Sequence, residues 1–248
     1  MPFMLLSIAI QVAFVLHVLK TGRDTMWIWI VVLLPVAGSI AYLILEVLPG
    51  AMHSRSGRTV QRQLKNTLAP NADLKEAKRN FSRSMSVENA QQLAQECYNK
   101  GLFDEAKELY TLQLKGIHKD DPQLLAGLAR CQFALGEHQG SKASLDQLIA
   151  ANPDFKNQEC HLLYARNLEV LNDLDAAEDE YRTLVSYYSG PDAAYHYAHF
   201  LLSQHKYSQA KSLLQDIMST ASLSNRHYRT IHKDTLKRAE QALAQSRI

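Results

Sequence analysis

Ten histidines, three cysteines and a pair of matched arginines are the side chains of this 248-residue chain with chemistry to offer. His196 and His199 stand three apart on one predicted helix, a permissible spacing for imidazole ligands, and His161 lies one predicted repeat earlier. No carboxylate or thiol occupies a matching position, so the three histidines make no metal site. Cys97, Cys131 and Cys160 are odd in number, without a Cys-x-x-Cys spacing. They read as small buried thiols inside helices in a reducing compartment, and neither a disulfide framework nor a zinc site is expected. His118-Lys-Asp120 and His232-Lys-Asp234 bring imidazole, amine and carboxylate together, in an inter-repeat turn and a terminal helix, where they read as solvated polar residues. No nucleophile–base set, phosphate loop or metal cluster emerges, so neither an enzyme nor a cofactor is expected. Arg130 and Arg166 are different. They fall at the same place in successive repeats, and two guanidinium forks there suit a partner's carboxylate; the alternative is that each pairs with a local acid such as Glu169.

The elements that position these residues form a helical pattern returning every 33 to 36 residues. Four units start near Val87, Pro122, Gln158 and Pro191. The first offers Leu93-Ala94, Gly101, Phe103, Ala106 and Tyr110; the second Leu128-Ala129, Gly136, Leu145 and Pro153, with Ser141 where an alanine is expected. The third offers Tyr164-Ala165, Leu174, Ala177 and Tyr181, with Asn172 in place of glycine, and the fourth Tyr197-Ala198, Tyr207, Ala210 and Leu214. This pattern resembles the tetratricopeptide repeat, a helix–turn–helix unit of 34 residues. Small residues let helices approach closely, large ones fill the space between, and stacked neighbours bury what one pair cannot.

The resemblance implies a concave face lined by the first helix of each unit. Carried over residue by residue, its outward positions are Gln95 and Tyr98, Arg130 and Phe133, Leu162, Arg166 and Glu169, and Tyr195, His199 and Leu202. Such a groove admits a peptide or helix of a protein partner. A segment from Asn225 to Arg247 is expected to cap the stack, with Tyr228, Ile231, Thr235, Ala239 and Leu243 along one side and basic residues elsewhere. No aromatic-interleaved basic patch accompanies it, so no nucleic acid is expected as a partner.

The N-terminal part is of another kind. Phe3–Leu19 and Met26–Leu48 are two apolar runs joined by Lys20-Thr-Gly-Arg-Asp24. A helix of about 20 apolar residues crosses a bilayer, so a two-helix transmembrane hairpin is the expectation. A signal peptide fits poorly, because no basic residue precedes the first run. Trp27 and Trp29 suit an interface, and Arg55, Arg58, Arg62 and Lys65 after the second run place the bulk of the chain in the cytoplasm. Those four residues form one helical stripe, with Val60, Leu64 and Leu68 on another face, which suits contact with anionic lipid headgroups. A short helix over Ala72–Arg83 follows, with Leu74, Ala77 and Phe81 on one face. Residues 27–42, with Pro35, Gly38 and Tyr42, resemble the N-terminal hairpin of cardiolipin synthases and related phospholipase D proteins. That chemistry needs histidine within HxKxxxxD, and none of the ten histidines has lysine two places on.

Charge follows the same division. Residues 51–84 carry +6, residues 85–220 carry −8 and residues 221–248 carry +4. The expected fold class is all-α: a transmembrane hairpin over 1–50, a basic juxtamembrane linker over 51–84, an α-solenoid of about four repeats over 85–222, and a capping helix over 223–248. The function implied is a scaffold at the bacterial inner membrane, its repeats in the cytoplasm, with the bilayer, anionic lipid and a protein or peptide as partners. The alternative is a non-catalytic accessory of phospholipid synthesis acting through the hairpin.

Overall fold

The computed structural model describes residues 11, 14–16, 18–20, 26–34, 41 and 71–245. The chain divides into two compact units, Met1–Asp73 and Leu74–Ile248. In the first, helix α1 runs Met26–Leu33. Val31 on α1 and Val18 are fully buried, with Phe14, Trp27 and Ile28 packed around them. Gln11 Nε2 donates to the Val31 carbonyl at 3.0 Å, so the polar amide of the first apolar run meets the second. Leu16, Leu19, Met26, Trp29, Val32, Leu33 and Leu34 are each more than half exposed. Among the described residues no helix is long and apolar enough to cross a membrane. Most of both apolar runs, Pro35, Gly38 and Tyr42, and the basic stripe Arg55, Arg58, Arg62 and Lys65 lie outside the described residues.

The second unit is built from helices throughout its described residues. Helix α2 (Ala72–Arg83) is followed by four antiparallel pairs: α3 (Val87–Asn99) with α4 (Phe103–Gln113), α5 (Pro122–Ala134) with α6 (His138–Ala151), α7 (Gln158–Val170) with α8 (Leu174–Val185), and α9 (Asp192–Ser203) with α10 (Tyr207–Leu223). From α3 to α10 each helix packs on the next in sequence, which is the serial contact pattern of a solenoid. Side chains start three of the four first helices: Ser86 accepts from Asn89 N–H, Asp121 from Gln123 and Leu124 N–H, and Asn157 from Glu159 and Cys160 N–H. Each such cap stabilises its helix by about 1 kcal/mol.

The turns within the pairs are one motif used four times. Leu102, Glu137, Asp173 and Lys206 donate their N–H groups to the carbonyls of Cys97, Gln132, Leu168 and Leu201, at 2.8–3.0 Å. The residue before each donor sits at positive φ: Gly101, Gly136, Asn172 (63°) and His205 (58°). This is the helix-terminating turn that favours glycine. Asn172 therefore does stand in for glycine, and His205 does the same in the fourth unit.

The small residues sit where close approach demands them. Ala94, Ala129, Ala165 and Ala198 on the first helices, and Ala106, Ala177 and Ala210 on the second, are all fully buried. Tyr110, Leu145, Tyr181 and Leu214 fill the space between pairs, each contributing about 1.5–3 kcal/mol by leaving water. Ser141 is buried, and its hydroxyl donates to the Ala129 carbonyl at 2.8 Å while accepting from Asn167 Nδ2 at 2.8 Å. Asn167 Nδ2 also donates to the Leu163 carbonyl at 3.0 Å, while its Oδ1 is buried with no partner. A polar seam therefore joins the second and third pairs.

The C-terminal segment is not one continuous helix. It breaks at His232 into α11 (Arg226–Ile231) and α12 (Lys233–Gln245). Ala239 is buried against Ala198, Leu214 and Ile217, with Leu236, Ala242 and Leu243 around it. The break turns Ile231 out to solvent at 62% exposure, off the face where the helical spacing placed it. The elbow is held at the start of α9: Asp192 accepts from Thr235 Oγ1 at 2.6 Å and lies 3.4 Å from His232 Nδ1. The His232 ring covers Gly190, where a Cβ would lie 2.7 Å from Cε1.

Candidate binding face on the first helices

Gln95, Tyr98, Arg130, Leu162 and Arg166 line one cavity of about 460 Å³, together with Gln91, Gln123 and Tyr110. Its walls come from α3, α5 and α7, so it runs across the first three repeats. That volume lies in the range of ligand-binding clefts. Tyr110 reaches it from α4 because Gly127 on α5 has no side chain in the way. The burial that holds this ring pushes its phenol up to about 12, so it stays protonated and able to donate.

The arginines are fixed by stacking. The Arg130 guanidinium lies 4.5 Å from the centroid of the Tyr98 ring, and that of Arg166 lies 4.5 Å from the centroid of Phe133. Each aromatic comes from the twelfth position of one repeat and each arginine from the ninth position of the next. The contact therefore repeats with the solenoid itself. Such a pair contributes about 0.5–2 kcal/mol and limits the motion of a long side chain. Arg130 Nη1 also donates to Gln95 Oε1 at 3.3 Å, and Gln95 Nε2 donates to Asn99 Oδ1 at 2.9 Å.

Among the described residues neither guanidinium has a carboxylate within 4 Å. The local acid considered for them is engaged elsewhere: Glu169 accepts from the Tyr181 hydroxyl at 2.6 Å. Burial, with that carboxylate beside it, drives the Tyr181 phenol well above its ordinary range. Two charged, positioned forks therefore face the cavity with hydrogen-bonding capacity to spare.

The remaining positions divide. Phe133 supports Arg166 from outside the cavity and meets the His138 ring edge-on, with centroids 4.8 Å apart. Leu162 lines the cavity yet is 6% exposed and belongs to the core, so it is not the outward residue that its register position implies. Tyr195 packs on the cluster beneath α12, His199 is exposed and Leu202 packs against the core cluster of the third and fourth pairs. His196 is held down to about 4 by burial first, with the Arg166 charge adding to it. Among the described residues no group of three or more His, Cys, Asp or Glu side chains is placed to share a metal ion. Cys97, Cys131 and Cys160 are free and buried, and burial pushes the thiols of Cys131 and Cys160 up to about 11.

Gln91 is a cavity residue that the sequence reading missed, although it stands at the same fifth position as Leu162 and Tyr195. Gln123, Tyr110 and Gly127 carry no register signal of this kind. A second cavity, about 770 Å³, is not on this face but beside α6 and α8, with α7 between the two.

No family model matches the chain, and no curated protein matches it. The resemblance of residues 27–42 to the synthase hairpin therefore rests on the sequence alone. Solved structures do match. A thermophilic TPR protein of Thermus thermophilus, TTC0263, has 17% identity and a TM-score of 0.55, covering 72% of this chain and 96% of its own. The MamA RS-1 ArsTM double mutant has 13% identity and a TM-score of 0.53, covering 65% of this chain and 90% of its own. A tetratricopeptide repeat protein from Parabacteroides merdae ATCC 43184 has 16% identity and a TM-score of 0.52, covering 70% of this chain and 69% of its own. At these identities the likeness is one of fold: the chain carries an all-helical solenoid of the tetratricopeptide type.

Proposed function

We propose that the protein is a membrane-anchored adaptor that holds an acidic segment of a protein partner against the first helices of its solenoid. The observation that carries this reading is the pair Arg130 and Arg166, each stacked on an aromatic ring and neither matched by a carboxylate among the described residues. Guanidinium forks recognise carboxylates bidentately, and stacking lowers the entropic cost of presenting them. Gln91, Gln95 and Gln123 beside them supply amides for the partner's backbone. Phe133, Glu169, Tyr195 and His199 would extend the face beyond the cavity.

The anchor is the apolar N-terminal hairpin. Its support is the length of the two runs, the helix contact of Gln11 and Val18 with Val31, and the exposed apolar side chains around them. In this reading Arg55, Arg58, Arg62 and Lys65 touch anionic headgroups on the cytoplasmic side of a bacterial inner membrane. The acidic body, −8 over residues 85–220, is repelled by the same leaflet.

Crosslinking in native membranes tests the reading. A protein captured by the wild type and lost with the Arg130→Ala/Arg166→Ala variant is expected. Capture that persists undiminished in the variant would refute the groove. Deleting residues 1–50 should release a soluble helical protein; a fragment still in the membrane pellet would refute the anchor.

A further inference from the structure

The 770 Å³ cavity has a composition unlike that of the arginine face. Leu145, Leu148 and Ile149 of α6, Phe155 of the link and Tyr164 of α7 make an apolar trough. Ile149 is 53% exposed, so the trough opens to solvent. At one lip His161 joins two residues of the following helix region, Glu180 at 2.6 Å through Nε2 and the Tyr187 hydroxyl through Nδ1. A carboxylate only accepts, so Nε2 carries a proton and donates to Glu180, while Nδ1 shares a hydrogen bond with the Tyr187 hydroxyl. Both ring nitrogens of His161 are thereby engaged. What remains free at the lip is acceptor capacity, on the Glu180 carboxylate and the Tyr187 oxygen. Asp146 adds a second carboxylate, bound to Lys142 at 2.9 Å, and Lys156 stands on the link as the cation of the rim.

We infer that this trough is a second binding site, separate from the arginine face, for a basic amphipathic helical segment of a partner protein. Aliphatic side chains of such a helix fill the trough, and its lysines or arginines reach Glu180 and Tyr187. The acidic body draws a cationic segment from a distance, and the trough then selects for amphipathic spacing. The two faces thus prefer partners of opposite charge, and α7 separates them, with Asn157 and Cys160 lining both cavities.

The test uses the full chain in zwitterionic nanodiscs and a fluorescent leucine–lysine peptide of about 18 residues, long enough for several helical turns, with leucines at helical spacing. Its composition-matched shuffle and a leucine–glutamate counterpart serve as comparisons. Anisotropy titration should give a saturable affinity for the amphipathic peptide over the shuffle. Ile149→Lys and Glu180→Lys should each weaken it about tenfold or more, as loss of a central contact does. Both positions are partly exposed, and circular dichroism checks that each variant stays helical. Glu180→Lys should also improve binding of the leucine–glutamate peptide. Arg130→Ala/Arg166→Ala should leave the affinity unchanged. Equal binding of the shuffle, indifference to both trough variants, or loss in the double arginine variant would each overturn the site, the last by moving the peptide to the other face.

Discussion

Gly127 is the position where a single methyl group has the most to break. A Cβ there would lie 2.3 Å from Tyr110 Cζ, 2.4 Å from Cε1 and 2.8 Å from Cε2. The obstacle is a ring only 3% exposed, packed in the α3–α5 core, so it can yield only by leaving that packing for the cavity it lines. Overpacking of this kind costs about 1–3 kcal/mol. In a helix interior, alanine regains about 1 kcal/mol over glycine. Gly127→Ala should therefore destabilise by up to about 2 kcal/mol net, although propensity alone predicts the opposite sign. The repeat register supplies the control, because the places of Tyr110 in the second and fourth units are held by Leu145 and Leu214. In a Tyr110→Leu background the obstacle is gone, and Gly127→Ala should become neutral or stabilising. Urea unfolding followed by far-UV circular dichroism on the four proteins of this cycle measures the coupling, which should reach about 1–3 kcal/mol, the overpacking cost itself. Were Gly127→Ala to stabilise the wild type, or cost the same with leucine at 110, the close approach of ring and helix would be refuted.

Other consequences can be checked the same way. Ser141→Ala should cost about 1–3 kcal/mol by stranding the Asn167 amide, whereas Ser141→Ala/Asn167→Leu should be nearly neutral, since both partners are then apolar. His205→Gly should stabilise by about 1 kcal/mol in thermal or urea melts, because it relieves a left-handed backbone at a non-glycine residue. The depressed His196 imidazole binds fewer protons folded than unfolded. Its contribution is complete above the unfolded value near 6.5 and is lost as pH falls towards about 4. Unfolding curves from pH 7 to 4 should show this acid limb shrink in His196→Gln. Arg166→Lys keeps the charge and loses the stack on Phe133, so binding of a glutamate-rich peptide should weaken about tenfold and become more sensitive to salt.

The solenoid was legible because its signals are local and periodic. The predicted starts at Val87, Pro122 and Gln158 are the observed first residues of α3, α5 and α7, and the fourth falls one residue from α9. Alanine spacing marked the buried contacts, Gly101 and Gly136 marked the turns within the first two pairs, and Asn172 stood out in the third, whereas His205 gave no such signal in the fourth. The arginine pair was legible from register, but its support was not. Stacking of Arg130 on Tyr98 and Arg166 on Phe133 depends on the offset between neighbouring first helices, which no single repeat encodes. The trough lay further out of reach. Its walls come from three helices, a link and a loop residue after α8, with no common spacing. The break at His232 depends on a tertiary seat, Gly190 and Asp192, about 40 residues upstream.

The identical turns within the pairs bear on how the array yields under force. Each hairpin is tied by the same short-range backbone bonds, whereas the links between pairs vary, one of them holding a 3₁₀ turn over Gly116–His118. Tension along the chain would therefore open the stack between pairs and leave the hairpins whole. The seam of Ser141 with Asn167 is buried, whereas the polar contacts of the neighbouring junctions, Lys107 with Glu137 and Lys206 with Glu178, reach solvent; the middle junction is therefore the more brittle, since buried polar contacts fail over a short extension. Extension would proceed in steps of one hairpin, with that junction giving way at the most sharply defined force.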